Sequence, residues 1–206
     1  QIMEISLKWT MGILLPFSAI YLTASSFQKE FTQGTIKNLM LLPISKSALF
    51  SGKVASVGAV VALLLGAQFI LSAILSLIIL VPGGIFESGV IAGYLSGIFS
   101  GLLAYLGAFI ALLLIVFLSS GVSLVAKNMG LVLVISYLGY VIFGLLGLWW
   151  PRLSLISVNS ILGDYGNILR ELSVTQLFVV MAYYTIGACA GYFLFEKKEA
   201  MVCPFE

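Results

Sequence analysis

Between Val60 and Leu80 the chain reads VVALLLGAQFILSAILSLIIL, uncharged throughout and apolar at every helical angle. A helix that is hydrophobic all round has no face to turn toward water, so it belongs inside a membrane or a large core. Crossing a hydrocarbon layer of about 30 Å takes roughly 20 such residues. Five windows meet that length without a central charge: Trp9–Phe27, Val54–Val81, Gly97–Leu118, Met129–Trp150 and Thr175–Phe195. The strands of a membrane barrel would alternate apolar and polar residues over about ten positions, and these runs do not alternate. The expected fold class is an all-α integral membrane protein, a polytopic helical bundle with five spans in one membrane domain over residues 1–206.

Outside the windows little is left from which to build a soluble domain, because 61% of the 206 residues are hydrophobic and only 9% are charged. A formal net charge of +2 is too small to point to nucleic acid. The 206 residues include no histidine, so they offer no imidazole for catalysis, metal ligation or pH sensing. Cys189 lies in an apolar run and Cys203 in the tail, a separation unlike a metal or redox motif. No catalytic, cofactor or metal site is expected in this chain.

The basic residues set the orientation. Lys29, Lys37, Lys46 and Lys53 share one loop, Lys127 lies between the third and fourth windows, and Lys197 and Lys198 follow the fifth. Strict alternation puts all of these on one side and only Lys8, Arg152 and Arg170 on the other, which makes the lysine-rich side cytoplasmic. The segment Glu30–Lys53 and the C-terminus are then inside and Gln1 outside. An odd number of spans, an external start and a first residue other than methionine lead to the expectation of one more helix before Gln1, in a six-span parent.

The second window extends backwards without a breaker to Ser45, a suitable N-cap, and forwards to the PGG at Pro82–Gly84. About 35 residues at 1.5 Å each make a helix of roughly 52 Å, so its first turns project beyond the hydrocarbon. Before it, EFTQGTIKNLMLL reads as a short helix with Phe31, Thr35, Leu39 and Leu42 on one stripe, ended by Pro43. Such a helix either relays a push through the proline corner or lies on lipid headgroups, and geometry alone leaves both open.

The order Glu30, then Gly34-Thr35, then NLMLLPIS from Asn38 to Ser45, then Lys53, resembles the permeases of type-two ATP-binding-cassette exporters. The resemblance implies that residues 30–46 form a coupling helix docked on a cytoplasmic ATPase subunit, with Glu30, Phe31, Gly34, Thr35, Leu39, Leu42, Pro43 and Lys46 at the docking segment. It further implies a dimer with a second copy or a homologous permease, ATP and Mg held by the partner ATPase, a bacterial cell membrane, and outward movement of a hydrophobic or amphiphilic substrate. The size and the sequence TIKNLMLLPISKSALFSGK look most like bacitracin and lantibiotic self-protection permeases, with sodium-efflux and copper-related permeases also open. The chain carries no G-x-x-x-x-G-K-[ST] loop of its own. An ion-coupled carrier, a small channel or a membrane scaffold are the alternatives, although no charge lies at mid-span to couple an ion.

Two further patterns concern helix contact. Gly93, Gly97 and Gly101 recur every four residues, as do Gly187 and Gly191, and small residues at this spacing admit a second backbone from the same chain or from a second copy. Gln68, Ser72, Ser76, Tyr183 and Tyr184 are polar within apolar windows, where interhelical hydrogen bonding is their expected use. Residues 149–172 offer room for two short external helices, with Trp149 and Trp150 at the bilayer interface.

Overall fold

The structure, a computed structural model, describes residues 2–32, 46–80, 88–126, 128–149, 182, 185–187 and 189–193. Its elements are α1 (Ile2–Gly12), α2 (Leu14–Thr32), α3 (Lys46–Leu80), α4 (Ser88–Val125) and α5 (Met129–Trp149). Residues 182, 185–187 and 189–193, within the fifth window, are also helical. The protein is an all-α membrane protein. Ala48–Ile79 and Gly93–Val125 are each long and apolar enough to cross a bilayer, and α1 with α2 supplies a third crossing if the bent pair is one span.

The window Trp9–Phe27 falls on a bent pair of helices. Ile5–Gly12 and Leu14–Gln28 meet at 46°. Pro16 supplies the reason: it has no N–H for the carbonyl of Gly12, and its ring crowds that carbonyl. The ladder resumes with the bond from Phe17 N to Ile13 O, 3.1 Å. Beyond the bend, α1 turns Met3, Leu7 and Met11 into the bundle and leaves Ile5, Lys8 and Trp9 exposed.

The 35-residue α3 runs unbroken, as the absence of breakers before PGG requires. It buries one stripe, Phe50, Val54, Val57, Val61, Leu65, Ser72 and Ser76, and presents its other faces outward. α4 is longer than the expected window Gly97–Leu118. Neither flank, SGVIAGYLS or SSGVSLV, holds a proline or a charge, so the helix continues past the most apolar stretch. α5 covers Met129–Trp149.

α2 and α4 are the central elements, each packed against the other four described helices. Ala104, Ala108, Ala111, Leu112 and Val116 of α4 are buried with Ala19, Ile20 and Phe27 of α2 and Val61 of α3. Alanines every three or four residues let the α4 backbone approach its neighbours closely, where dispersion is the main attraction within a membrane.

Candidate functional site

Residues 33–45, and with them Gly34, Thr35, Leu39, Leu42 and Pro43, lie outside the described residues. Glu30 and Phe31 fall in the last turn of α2, and Lys46 begins α3. The structure therefore describes the two roots of the segment, the end of α2 and the start of α3, and what grips them.

Phe27, fully buried on α2, meets Phe50 of α3 with ring centroids 5.8 Å apart. Lys53 Nζ sits 5.3 Å from the centre of the Phe27 ring, within the range of a cation–π contact. One residue further along α2, the Gln28 side chain turns the other way, toward α4. It is 3% exposed, and its Nε2 donates to the carbonyls of Ser123 and Ala126, both at 2.7 Å. The last carbonyls of a helix lack partners along their own ladder, so a buried amide from another helix satisfies groups that would be costly to leave unpaired.

Small side chains make this approach possible. Ala24 of α2 clusters with Ala126 and with Val132 of α5. Ser119, Ser120 and Ser123 are buried and turn their hydroxyls onto carbonyls of α4 itself, at Val116, Phe117 and Ser120. On the other side of the junction, a Cβ at Gly191 would lie 2.8 Å from Phe50 Cζ and 3.6 Å from Ser120 Oγ. The roots of residues 33–45 are thus joined to the end of α4 and to the helical residues near 191.

The five glycines do not share one environment. Gly101 backs onto Met3 and Phe69, Gly187 onto Phe117, and Gly191 onto Phe50, whereas a Cβ at Gly93 or Gly97 meets nothing among the described residues. Among the described residues, part of the four-residue ladder meets another helix. Among the polar residues, Gln68 Nε2 donates to Thr10 Oγ1 and to the Ser6 carbonyl, the latter at 3.4 Å. The Ser72 hydroxyl pairs with that of Tyr105 at 3.2 Å. Ser76 donates to Ala73 O in its own helix. Tyr183, Tyr184 and the external segment after Trp149 lie outside the described residues.

Sequence reasoning missed Gln28, whose partners are almost a hundred residues away. It also missed Tyr94 and Tyr140, which donate to the carbonyls of Ala73 and Met11 at 3.0 and 3.1 Å. A polar tip on a largely apolar body within a span was the available signal. Two apolar cavities complete the picture. One of about 260 Å³ lies between α4 and α5, lined by Leu118, Ser119, Val122, Ile135 and Tyr140. The other, about 540 Å³, lies beside Phe50, Val54, Leu113, Phe117 and Tyr192. Among the described residues no group of His, Cys, Asp or Glu could hold a metal ion.

The described helices form a membrane bundle in which α2 and α3, on either side of residues 33–45, are held to each other through Phe27 and Phe50 and α2 is held to the end of α4 through Gln28. Residues 2–139 match the family described as ABC-2 family transporter protein, well over half of the chain. The chain belongs to that family, and it is a permease of the ATP-binding-cassette type. No curated protein and no solved structure shows significant similarity to it.

Proposed function

We propose that this chain is the transmembrane subunit of an ATP-driven exporter that moves a hydrophobic or amphiphilic molecule out of a bacterial cell, with a separate ATPase subunit binding ATP and Mg. Family membership carries the reading. The motif from Glu30 to Lys46 between the two gripped roots supports its mechanical half. The lysine distribution supports a cytoplasmic position for that segment. The apolar cavities beside α4 suit an apolar or amphiphilic cargo, which they hold by burial rather than by a pattern of charges. A peptide antibiotic of the bacitracin or lantibiotic kind is the cargo class to which the sequence resemblance points, and a second permease, identical or homologous, completes the pathway.

In this reading residues 30–46 dock in a cleft of the ATPase, with Leu39 and Leu42 as apolar anchors. Truncating a well-buried Leu costs about 2–5 kcal/mol, enough to separate two subunits. The test is copurification of the ATPase with the permease carrying Leu39→Ala and Leu42→Ala, together with ATP hydrolysis in vesicles for Gly34→Leu and Glu30→Ala. Loss of the ATPase in the first case and reduced hydrolysis in the others are expected. Full copurification and undiminished hydrolysis throughout would remove the assignment.

A further inference from the structure

We propose that the cavity between α4 and α5 binds an amphiphile through a carbonyl oxygen, which accepts a hydrogen bond from Ser136. That this occupant is cargo rests on the exporter reading, to which the proposal adds a ligand class and a point of entry.

The walls belong to Leu118, Ser119 and Val122 of α4 and to Ile135, Ser136 and Tyr140 of α5, around about 260 Å³. An apolar cavity of about 150 Å³ already holds benzene, so this one has room for part of an alkyl chain. The hydroxyl hydrogens of two lining residues are spent elsewhere. Ser119 donates to the Val116 carbonyl of its own helix at 3.1 Å, and Tyr140 Oη donates to the Met11 carbonyl at 3.1 Å. Ser72 and Ser76 of α3 likewise turn onto carbonyls of their own helix. Ser136 is different: its Oγ is buried and has no hydrogen-bond partner among the described residues. A buried hydroxyl in that state is costly, and a ligand that supplies an acceptor there removes the cost. A plain hydrocarbon supplies none, so the complementary occupant joins an apolar chain to an ester or amide carbonyl.

Leu118 is 40% and Ile135 49% exposed, and within a membrane that exposure is to lipid. The occupant therefore enters sideways. Ser136 stands about 10 Å into α5 from Met129, which closely follows Lys127. The lysine charge stays at headgroup level, so Ser136 lies below the boundary at which bilayer phospholipids keep their ester carbonyls. In the orientation drawn from the lysines, that boundary is the cytoplasmic one. A single-chain amphiphile whose carbonyl sinks into the hydrocarbon fits the site, whereas a phospholipid is held away from it by its charged headgroup.

The test places the full chain with its ATPase in nanodiscs of phosphatidylethanolamine and phosphatidylglycerol, without nucleotide. The probes are N-butyl dodecanamide with a diazirine in its acyl chain and the alkane of equal length with the same group. Photolabelling of Ile115–Val122 and Ile135–Tyr140 is quantified by peptide mass spectrometry against increasing unlabelled amide. We expect saturable labelling by the amide, weakened about three- to tenfold in apparent affinity by Ser136→Ala and restored by Ser136→Thr, which keeps the hydroxyl. The alkane should respond to neither change. Gly139→Leu adds bulk to the cavity wall where a Cβ meets nothing among the described residues, and should abolish labelling by both probes. Equal affinity of the amide for Ser136 and Ser136→Ala overturns the site and leaves the hydroxyl to its own helix. Labelling that persists under excess unlabelled amide overturns it in favour of bilayer phospholipid. If Gly139→Leu fails to insert, the Ser136 series decides by the same rule. Saturable, Ser136-dependent labelling without ATP-driven loss of the amide from vesicles would overturn the occupant's role as cargo. Absence of a bound ATPase would overturn the exporter reading itself, and the labelling comparison on the chain alone would still decide the site.

Discussion

Gln68, near the middle of α3, donates its side-chain amide to the hydroxyl of Thr10 in α1. Thr10 in turn donates to the carbonyl of Ser6 at 2.9 Å, or to that of Leu7 at 3.1 Å. This joins the short helix beyond the Pro16 bend to the 35-residue α3. Interhelical hydrogen bonds of this kind in membranes average about 0.6 kcal/mol and reach about 1.7 kcal/mol. A double-mutant cycle with Gln68→Leu and Thr10→Val should give a coupling energy in that range by reversible unfolding in detergent. A coupling of zero would show that the two residues act independently.

The glycines divide into crowded and open positions. At Gly191 a Cβ would press on Phe50, which is itself packed against Phe27, and overpacking of this kind costs about 1–3 kcal/mol. At Gly97 the same atom meets nothing among the described residues, and removal of a helical glycine is worth up to about 1 kcal/mol. Gly191→Ala should therefore lower the melting temperature in detergent, while Gly97→Ala leaves it unchanged or raises it. If Gly97 faces a second permease, Gly97→Leu will reduce cross-linked dimer without lowering the melting temperature of the monomer.

Tyr105 combines a hydroxyl pair with Ser72 and an edge-on ring contact with Phe69, centroids 5.2 Å apart. Tyr105→Phe removes only the first and should cost about 1 kcal/mol. Tyr105→Ala removes both and leaves a cavity, for a loss of about 3–5 kcal/mol. Equal losses in the two variants, measured by denaturant titration, would mean that the hydroxyl pair carries the whole contribution.

The orientation is open to labelling with a membrane-impermeant maleimide in a background lacking Cys189 and Cys203. Ser88→Cys and Ser160→Cys should react from outside the cell, and Ser47→Cys and Lys127→Cys only after permeabilisation. External reaction at Ser47→Cys would reverse the assignment drawn from the lysines.

The sequence by itself determined the class of fold and the extent of the clearest helices. Runs such as Val60–Leu80 have no polar face, so only a bundle within lipid accommodates them, and α3 and α5 are helical through their apolar runs. The motif between Glu30 and Lys53 was likewise legible, because its charges and its proline stand out against apolar flanks. Hydropathy was blind to the bend at Gly12, since Pro16 interrupts a hydrogen-bond ladder without interrupting the apolar run. Tertiary structure alone decided which residues of a stripe meet a neighbour. Gly93, Gly97 and Gly101 lie on one line of α4, yet among the described residues only Gly101 meets another helix, because crossing helices diverge away from their closest approach. It also decided the use of Gln28: a glutamine at the end of a span is equally suited to water and to burial. Only the arrival of Ser123 and Ala126 from the far end of α4 turns its amide into a link between helices.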